Sequence, residues 1–410
     1  MPLTIEGRTL YPIAEALAHA SVSRATYFRW LKQGRLTDTH FKDRNGRRLF
    51  TERELGVLLS ESQHLIENPQ VSLPFEVPEL STQTTSDGKT GIVKAQAQKE
   101  RFPEGTFTVV SMFSGCGGMD FGLLGGFEIF GRDYPRLPFN IVWANEINEA
   151  ACRTYRRNIG EHIHCGDVWK AIDSMPKKAD ILVGGFPCQD ISVNGLKAGV
   201  NGKRSGLYKA MLEGIRRTKP KVFIAENVKG LLMKYNEQSL RQVMKDFGEL
   251  GYSVSYQLYM APDYGVPQTR ERVIIVGTSK KTKPFIPPVA VRPKEQWMTA
   301  KDAIEDLEAV LEAPDINHVW SRANRSPEQG NRKLIANRPA YTIRAECHGN
   351  IQYHYRLPRR ISMREAARFQ TFPDSFIFDA KLRETERQVG NAVPPVLAWH
   401  IANAVLKCLT

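Results

Sequence analysis

Asp180-Ile181-Leu182-Val183-Gly184-Gly185-Phe186-Pro187-Cys188-Gln189-Asp190-Ile191-Ser192 is the stretch that decides how the chain is read. Residues 181–183 are apolar without alternation, the pattern of a strand buried on both faces of a parallel sheet, and they end in two glycines. Pro187 then restricts the backbone, and Cys188 opens a loop rich in Gly, Lys and Ser. Open α/β sheets bind ligands beyond the carboxyl ends of their strands, where this thiol falls. Taken alone the stretch suits a buried structural cysteine equally well. Its neighbours along the chain decide between the two.

Strand–loop–helix units repeat on both sides of it. Residues 106–112 read as a strand, and Phe113-Ser114-Gly115-Cys116-Gly117-Gly118-Met119-Asp120 opens a helix. Glycines at such a turn let the backbone approach a ligand beside a helix N-terminus. A second strand, 141–144, ends in Asn145-Glu146, where an acidic group would hold a ribose. Cys165-Gly166-Asp167 is a third acidic strand end. Together the three point to a nucleotide-like cofactor. Downstream, residues 194–205 form a polar, glycine-bearing loop with the composition of a lid. Strand 222–225 ends in Glu226-Asn227-Val228, so a carboxylate lies one strand from Cys188 at the same edge. Thiol and carboxylate suit a nucleophile and its acid, although a capping Glu reads as well from that residue alone. Gln268-Thr269-Arg270-Glu271-Arg272 precedes strand 273–277 and brings two cations there.

The 410 residues leave room for two or three domains, and a formal charge of +13 favours a polyanionic partner such as nucleic acid. Six cysteines are scattered without CxxC pairs, which argues against a metal site or a disulfide scaffold and for a reducing compartment. No apolar run was expected to span a membrane, so the expected location is cytoplasmic. Residues 1–67 form a unit of their own: helices over 12–19 and 24–33, a basic Asn-Gly hairpin over 41–50, then a helix capped by Thr51 and Glu54. That order resembles the winged helix-turn-helix of excisionases and mercury-resistance-type regulators. The resemblance implies that Ser23, Arg24, Thr26, Tyr27 and Arg29 face a DNA groove, with Arg44, Arg47 and Arg48 on the wing. Residues 68–105 read as a linker.

From residue 106 to the C-terminus the ordered motifs resemble the cytosine-C5 DNA methyltransferases. Residues 113–118 look like that family's cofactor turn and Pro187-Cys188-Gln189 like its nucleophile motif. Glu226-Asn227-Val228 and residues 268–272 look like its acid and arginine motifs. Arg364-Glu365-Ala366-Ala367-Arg368 and Gln388-Val389-Gly390-Asn391-Ala392-Val393-Pro394-Pro395 close the series. The resemblance implies an α/β, Rossmann-like S-adenosylmethionine-dependent methyltransferase sheet acting on double-stranded DNA. Cys188 would attack C6 of a flipped-out cytosine, and Glu226 would hold the exocyclic amine and protonate N3. Arg272, supported by Arg270, would stabilise the adduct, and C5 would receive the methyl group. Phe113, Gly115, Cys116, Gly118, Glu146, Asp167, Val168, Leu207, Asn391 and Val393 would line the methyl donor. Gln189, Ser192 and Arg204 would meet DNA on the closing loop.

Two departures stand out: Ile191, where many members carry Phe, and an insertion over 131–140. Residues 280–384 would form a small target-recognition domain, with 106–279 and 385–410 as the catalytic domain. That small region is basic and polar and carries Trp297, Trp320, Arg332 and Arg344. The expected setting is either a restriction–modification system with a cognate endonuclease or a methyltransferase standing alone. Methylation of tRNA by the same chemistry, and operator binding by the N-terminal unit, are the alternatives.

Overall fold

Unbroken β-branched and aliphatic runs can be buried on both faces only inside a sheet covered by helices, and the long unit of this chain is built that way. The computed structural model describes residues 3–5, 8–20, 27, 30, 31, 36, 39, 41–42, 48–67, 105–186, 206–323, 332–345 and 351–410. Two compact units divide it, Met1–Ala97 and Gln98–Thr410.

In the first unit, β1 (Leu3–Ile5), β2 (Arg8–Pro12), β3 (Phe41–Lys42) and β4 (Arg48–Thr51) form an antiparallel sheet in the order β1-β2-β4-β3. The amino-terminal hairpin of β1 and β2 was not anticipated, because its strands are too short to show an alternating pattern. Helix Ile13–His19 matches the first expected helix. Helix Glu52–Glu67 starts with the expected reciprocal cap: the Thr51 amide donates to Glu54 Oε2 at 2.8 Å and the Glu54 amide to Thr51 Oγ1 at 3.2 Å. Tyr27 is corrected: it is buried in the unit's core against Phe50 and faces no groove. Burying its ring outweighs exposing it, as expected for a large aromatic side chain. Ser23, Arg24, Thr26, Arg29, Arg44 and Arg47 lie outside the described residues.

The second unit carries β5 (Phe107–Met112), a hairpin of β6 (Phe127–Ile129) and β7 (Arg132–Tyr134), β8 (Phe139–Glu146), β9 (Ile163–Cys165), β10 (Ile181–Gly185), β11 (Val222–Val228), β12 (Tyr252–Met260), β13 (Gln268–Thr269), β14 (Glu271–Ser279) and β15 (Ala340–Tyr341). Seven of them make one sheet, ordered β12-β14-β11-β10-β5-β8-β9. The five strands from β11 to β9 are mutually parallel, and β14 runs antiparallel to both its neighbours. Successive strands leave β5 towards β8 on one side and β10 on the other, so a topological switch point opens beside β5. One apolar cluster lies on each face of the sheet. The stretch 131–140, expected as an insertion, holds β7 and the link to β8; β7 pairs with β6, and Phe127 and Tyr134 stack at 5.0 Å.

Beyond β14 the sheet pattern stops, as expected, and a third apolar cluster forms around Ala300, Ile343, Ile361, Phe369 and Phe372. Cys116, Val389 and Ala392 belong to that cluster too, so the C-terminal motif is packed between it and the sheet. Residues Leu382–Leu409 are long and apolar enough to cross a membrane by length and composition alone. They are two helices, Leu382–Asn391 and Pro395–Leu409, whose apolar faces are mostly buried in the core.

Candidate active site

Glu226 leaves β11 at the carboxyl edge of the sheet, directly opposite Gly185 of β10. A Cβ at Gly185 would stand 3.0 Å from Glu226 Oε2, so the absence of a side chain there lets the carboxylate lie over the neighbouring strand. Because β14 is antiparallel, its amino end reaches the same edge, and Val228 pairs with Arg272. Arg272 Nε meets Glu226 Oε1 at 2.5 Å, with only 10% and 14% of the two side chains exposed. Burial lowers the Arg272 guanidinium, and the adjoining Glu226 opposes that shift. Arg272 also donates from Nη1 to the Glu271 carbonyl at 2.8 Å, which fixes its direction. The result is a carboxylate held by a charge-assisted contact and aimed out of the sheet.

Asn227 fixes the adjoining loop root. Its Nδ2 donates to the Phe186 carbonyl at 2.9 Å, and its Oδ1 accepts from the Val228 amide at 2.9 Å. Phe186 is the last described residue before the loop. Cys188, Gln189, Ser192 and Arg204 lie outside the described residues.

Arg270 requires a correction. It is fully buried, and its Nη1 donates to the Ile343 carbonyl at 3.0 Å while Nη2 donates to Gly390 and Ala392 at 2.8 and 2.9 Å. Both terminal nitrogens are therefore used in clasping the C-terminal motif to the 340s segment. It braces the unit and does not reach a substrate. Arg270 lies in the break between β13 and β14, against the C-terminal motif, whereas Arg272 lies within β14 opposite Val228, which is why their roles separate.

Seven of the ten expected cofactor residues lie at or just after three strand ends, and Leu207, Asn391 and Val393 lie on or beside helices. The turn after β5 holds Phe113 at φ 57° and Gly115 at φ 59°. Around the Cβ position of Gly115 nothing lies within 4 Å, leaving backbone open to a ligand. Glu146, at the end of β8, accepts from the Gly115 amide at 2.9 Å and from the Asn148 amide at 2.8 Å. Burial pushes its carboxyl up, and these amides partly reverse that. Asp167 is exposed beyond β9 and caps the next helix through the Trp169 amide at 2.9 Å. Val168 is buried beside it, Leu207 is half-buried on helix Gly206–Thr218, and Asn391 is exposed. Gly118 backs against the Val393 carbonyl. Cys116 is corrected: its side chain is 2% exposed, its Sγ is directed at the Gln388 carbonyl 3.8 Å away, and burial pushes its thiol up to about 12. Only its main chain belongs to the turn.

Two residues were missed. Ile147, 73% exposed, follows Glu146 directly, and Trp169, 44% exposed, follows Asp167 by two. Large apolar side chains left bare beside acidic strand ends suit the flat face of a base. That signal, an apolar residue just after each acidic end, was present in the sequence.

The family model for C-5 cytosine-specific DNA methylase matches residues 107–333 and 315–407. The chain belongs to the C-5 cytosine-specific DNA methylase family. It is 34% identical over 332 residues to the Type II methyltransferase M.NgoFVII of Neisseria gonorrhoeae, covering 73% of this chain and 86% of that protein. With the Type II methyltransferase M.FnuDI of Fusobacterium nucleatum it shares 33% over 339 residues, covering 74% and 95%. Among solved structures, a DNA modification methyltransferase encoded within an E. coli prophage has a TM-score of 0.56 at 22% identity, covering 74% of this chain and 99% of that one. The S. pombe Dnmt2 methyltransferase has a TM-score of 0.54 at 16% identity, with the same shares covered. These two likenesses establish the mostly parallel methyltransferase sheet. The C-5 methylase chain is thus a DNA (cytosine-5-)-methyltransferase, and S-adenosylmethionine is the family's methyl donor. The open turn at Gly115, the Glu146 carboxylate beside it and the exposed Asp167, Ile147 and Trp169 offer the polar and flat apolar groups that donor's adenosine would need.

Proposed function

We propose that this methylase transfers a methyl group to C5 of one cytosine within a defined sequence of duplex DNA, through a covalent adduct of Cys188 with C6 of a flipped-out base. The observation that carries the reading is the Glu226–Arg272 pair at 2.5 Å on the sheet edge, tied through Asn227 to the root of the Cys188 loop. Glu226 holds the cytosine amine and delivers a proton to N3, so that charge does not accumulate on the ring when the thiolate adds. Arg272 keeps that carboxylate in place and faces the base oxygen. A thiol serves because it adds readily and departs readily once C5 has lost its proton. Bound S-adenosylmethionine supplies an electrophilic methyl group. Gly115, Glu146, Asp167, Val168, Leu207, Asn391 and Val393 hold it, with Ile147 and Trp169 packing on the adenine and Phe113 on the turn.

Residues 280–384 act as the target-recognition domain, with 106–279 and 385–410 forming the catalytic one. Two of its tryptophans already have internal work: Trp297 Nε1 donates to Asp263 Oδ1 at 2.9 Å, and Arg359 lies 4.3 Å over the Trp320 ring. Base reading therefore falls to other polar groups of that region. Residues 1–67 bind DNA as a winged helix-turn-helix-like unit, supported by the capped helix and the basic hairpin sequence. A cognate endonuclease completes the system.

Bisulfite sequencing of unmethylated plasmid after incubation with protein and S-adenosylmethionine tests the reading. Protected cytosines recurring in one short context support it. None, from a folded sample that binds the methyl donor, would overturn it.

A further inference from the structure

Asp120 is a fully buried carboxylate on the helix that follows the methyl-donor turn, and no step assigned above uses it. It lies on helix Gly118–Leu124, and its Oδ1 accepts from Ser111 Oγ at 2.7 Å. Ser111 is the penultimate residue of β5, and its hydroxyl is 2.9 Å from that of Ser114, inside the turn. Ser114 in turn donates its amide to the Asn145 carbonyl at 2.9 Å and accepts from the Gly117 amide at 2.9 Å. Strand end, turn and helix start are thus tied through one carboxylate.

The chain continues in the other direction. Asp120 Oδ2 has no hydrogen-bond partner within bonding geometry, and the Tyr155 hydroxyl on helix Glu149–Asn158 faces this carboxylate. The Tyr155 hydroxyl is also 3.1 Å from His162 Nε2, and its ring fills the space beside Gly117. His162 is half-buried just before β9, the strand that leads to Asp167. A run Ser114–Ser111–Asp120–Tyr155–His162 therefore passes beneath the three strand ends that form the donor site.

We propose that Asp120 is a positioning residue for the methyl-donor turn: ionised, it holds Ser111, and through Ser111 the hydroxyl of Ser114, as an acceptor, and its protonation loosens the turn and weakens donor binding. This rests on the reading of residues 113–118 as the donor turn. Burial pushes the Asp120 carboxyl up to about 6, and the neighbouring hydroxyls of Ser111, Tyr155 and Ser114 oppose that shift. The sign follows: above that value the carboxylate is an acceptor only, and below it a proton must be donated, so one hydroxyl in the run has to turn over. Of the other groups near the run, Cys116 and Tyr155 stay protonated across that range, whereas His162 and Glu146 can change charge near it and are separated from Asp120 by the variant below. The thiol of Cys116 is pushed up to about 12, Tyr155 is held well above its ordinary value, and burial lowers His162. Glu146 is raised as well, and the Asp120 variant separates its contribution.

The test is a calorimetric titration of the full-length protein with S-adenosylmethionine at a series of pH values from about 5 to about 8. Wild type is expected to lose about tenfold in affinity across that range. Asp120→Asn keeps an oxygen for Ser111 but cannot titrate, so its affinity should vary less than about twofold with pH. Its effect should fall more on the KM for the donor than on kcat. A wild-type affinity flat across the range, or an Asn variant with the same pH step, overturns the proposal. Failure of wild type to bind donor at about pH 8 would instead overturn the reading of the turn itself.

Discussion

Glu226 and Gly185 show how much depends on single atoms at the sheet edge. Glu226→Gln keeps the shape of the side chain and removes its proton. Turnover should fall about a hundredfold while DNA affinity changes less than about threefold, measured by methyl incorporation and gel shift. Equal losses in both would count against its role as acid. Gly185→Ala places a methyl group about 3.0 Å from Glu226 Oε2. The carboxylate must move, so turnover should drop roughly tenfold. The urea midpoint is expected to stay close to wild type, since the sheet register at Gly185–Glu226 is unchanged. Cys188→Ser should abolish turnover yet leave S-adenosylmethionine binding intact, a result that calorimetry and a methylation assay read together.

At the scale of elements, the extended segment of β13 and β14 carries two arginines with different work. Arg270 saturates three carbonyls from two other segments, whereas Arg272 meets the catalytic-edge carboxylate. Arg270→Met removes a donor from all three carbonyls, of which Ala392 keeps Gln370 Nε2, and should cost on the order of 3 kcal/mol in urea unfolding. Arg272→Met should instead lower turnover with a far smaller loss of stability. The reverse pattern would exchange the two assignments. Gln268, one turn of the pleat earlier, adds to the brace: its Nε2 donates to the Phe369 carbonyl at 3.1 Å and its Oε1 accepts from the Ile343 amide at 2.9 Å. A motif that reads as one cluster of cations is therefore half scaffold and half site.

For the whole molecule, the division at Ala97 separates a unit without counterpart in the matched region from one that spans nearly all of M.FnuDI. A chain starting at Gln98 should fold and methylate plasmid DNA. It should also show a shallower dependence of DNA affinity on salt, because basic groups of the first unit no longer neutralise phosphates. Loss of methylation from a folded truncation would make residues 1–97 part of substrate recognition. An unchanged salt slope would remove DNA contact from their role.

Composition, periodicity and ordered motifs determined the α/β class, the strand ends that carry Glu146, Asp167 and Glu226, and the Thr51–Glu54 cap. Each depends on neighbours within a few residues, and local chemistry is written directly in the chain. Strand limits were shorter in expectation than in the structure: β8 runs Phe139–Glu146 and β14 runs Glu271–Ser279, because pairing extends strands through residues of weak propensity. Other features were decided only when distant segments met. That Arg270 turns inward while Arg272 turns to Glu226 depends on which carbonyls the C-terminal motif brings near, more than a hundred residues away. That Cys116 is packed into the small region's core, and that Asp120 lies buried under the donor turn, follow from contacts with Gln388 and Tyr155. Side-chain identity proposes what a residue can do chemically; the packing around it, which removes water and supplies or withholds partners, selects what it does.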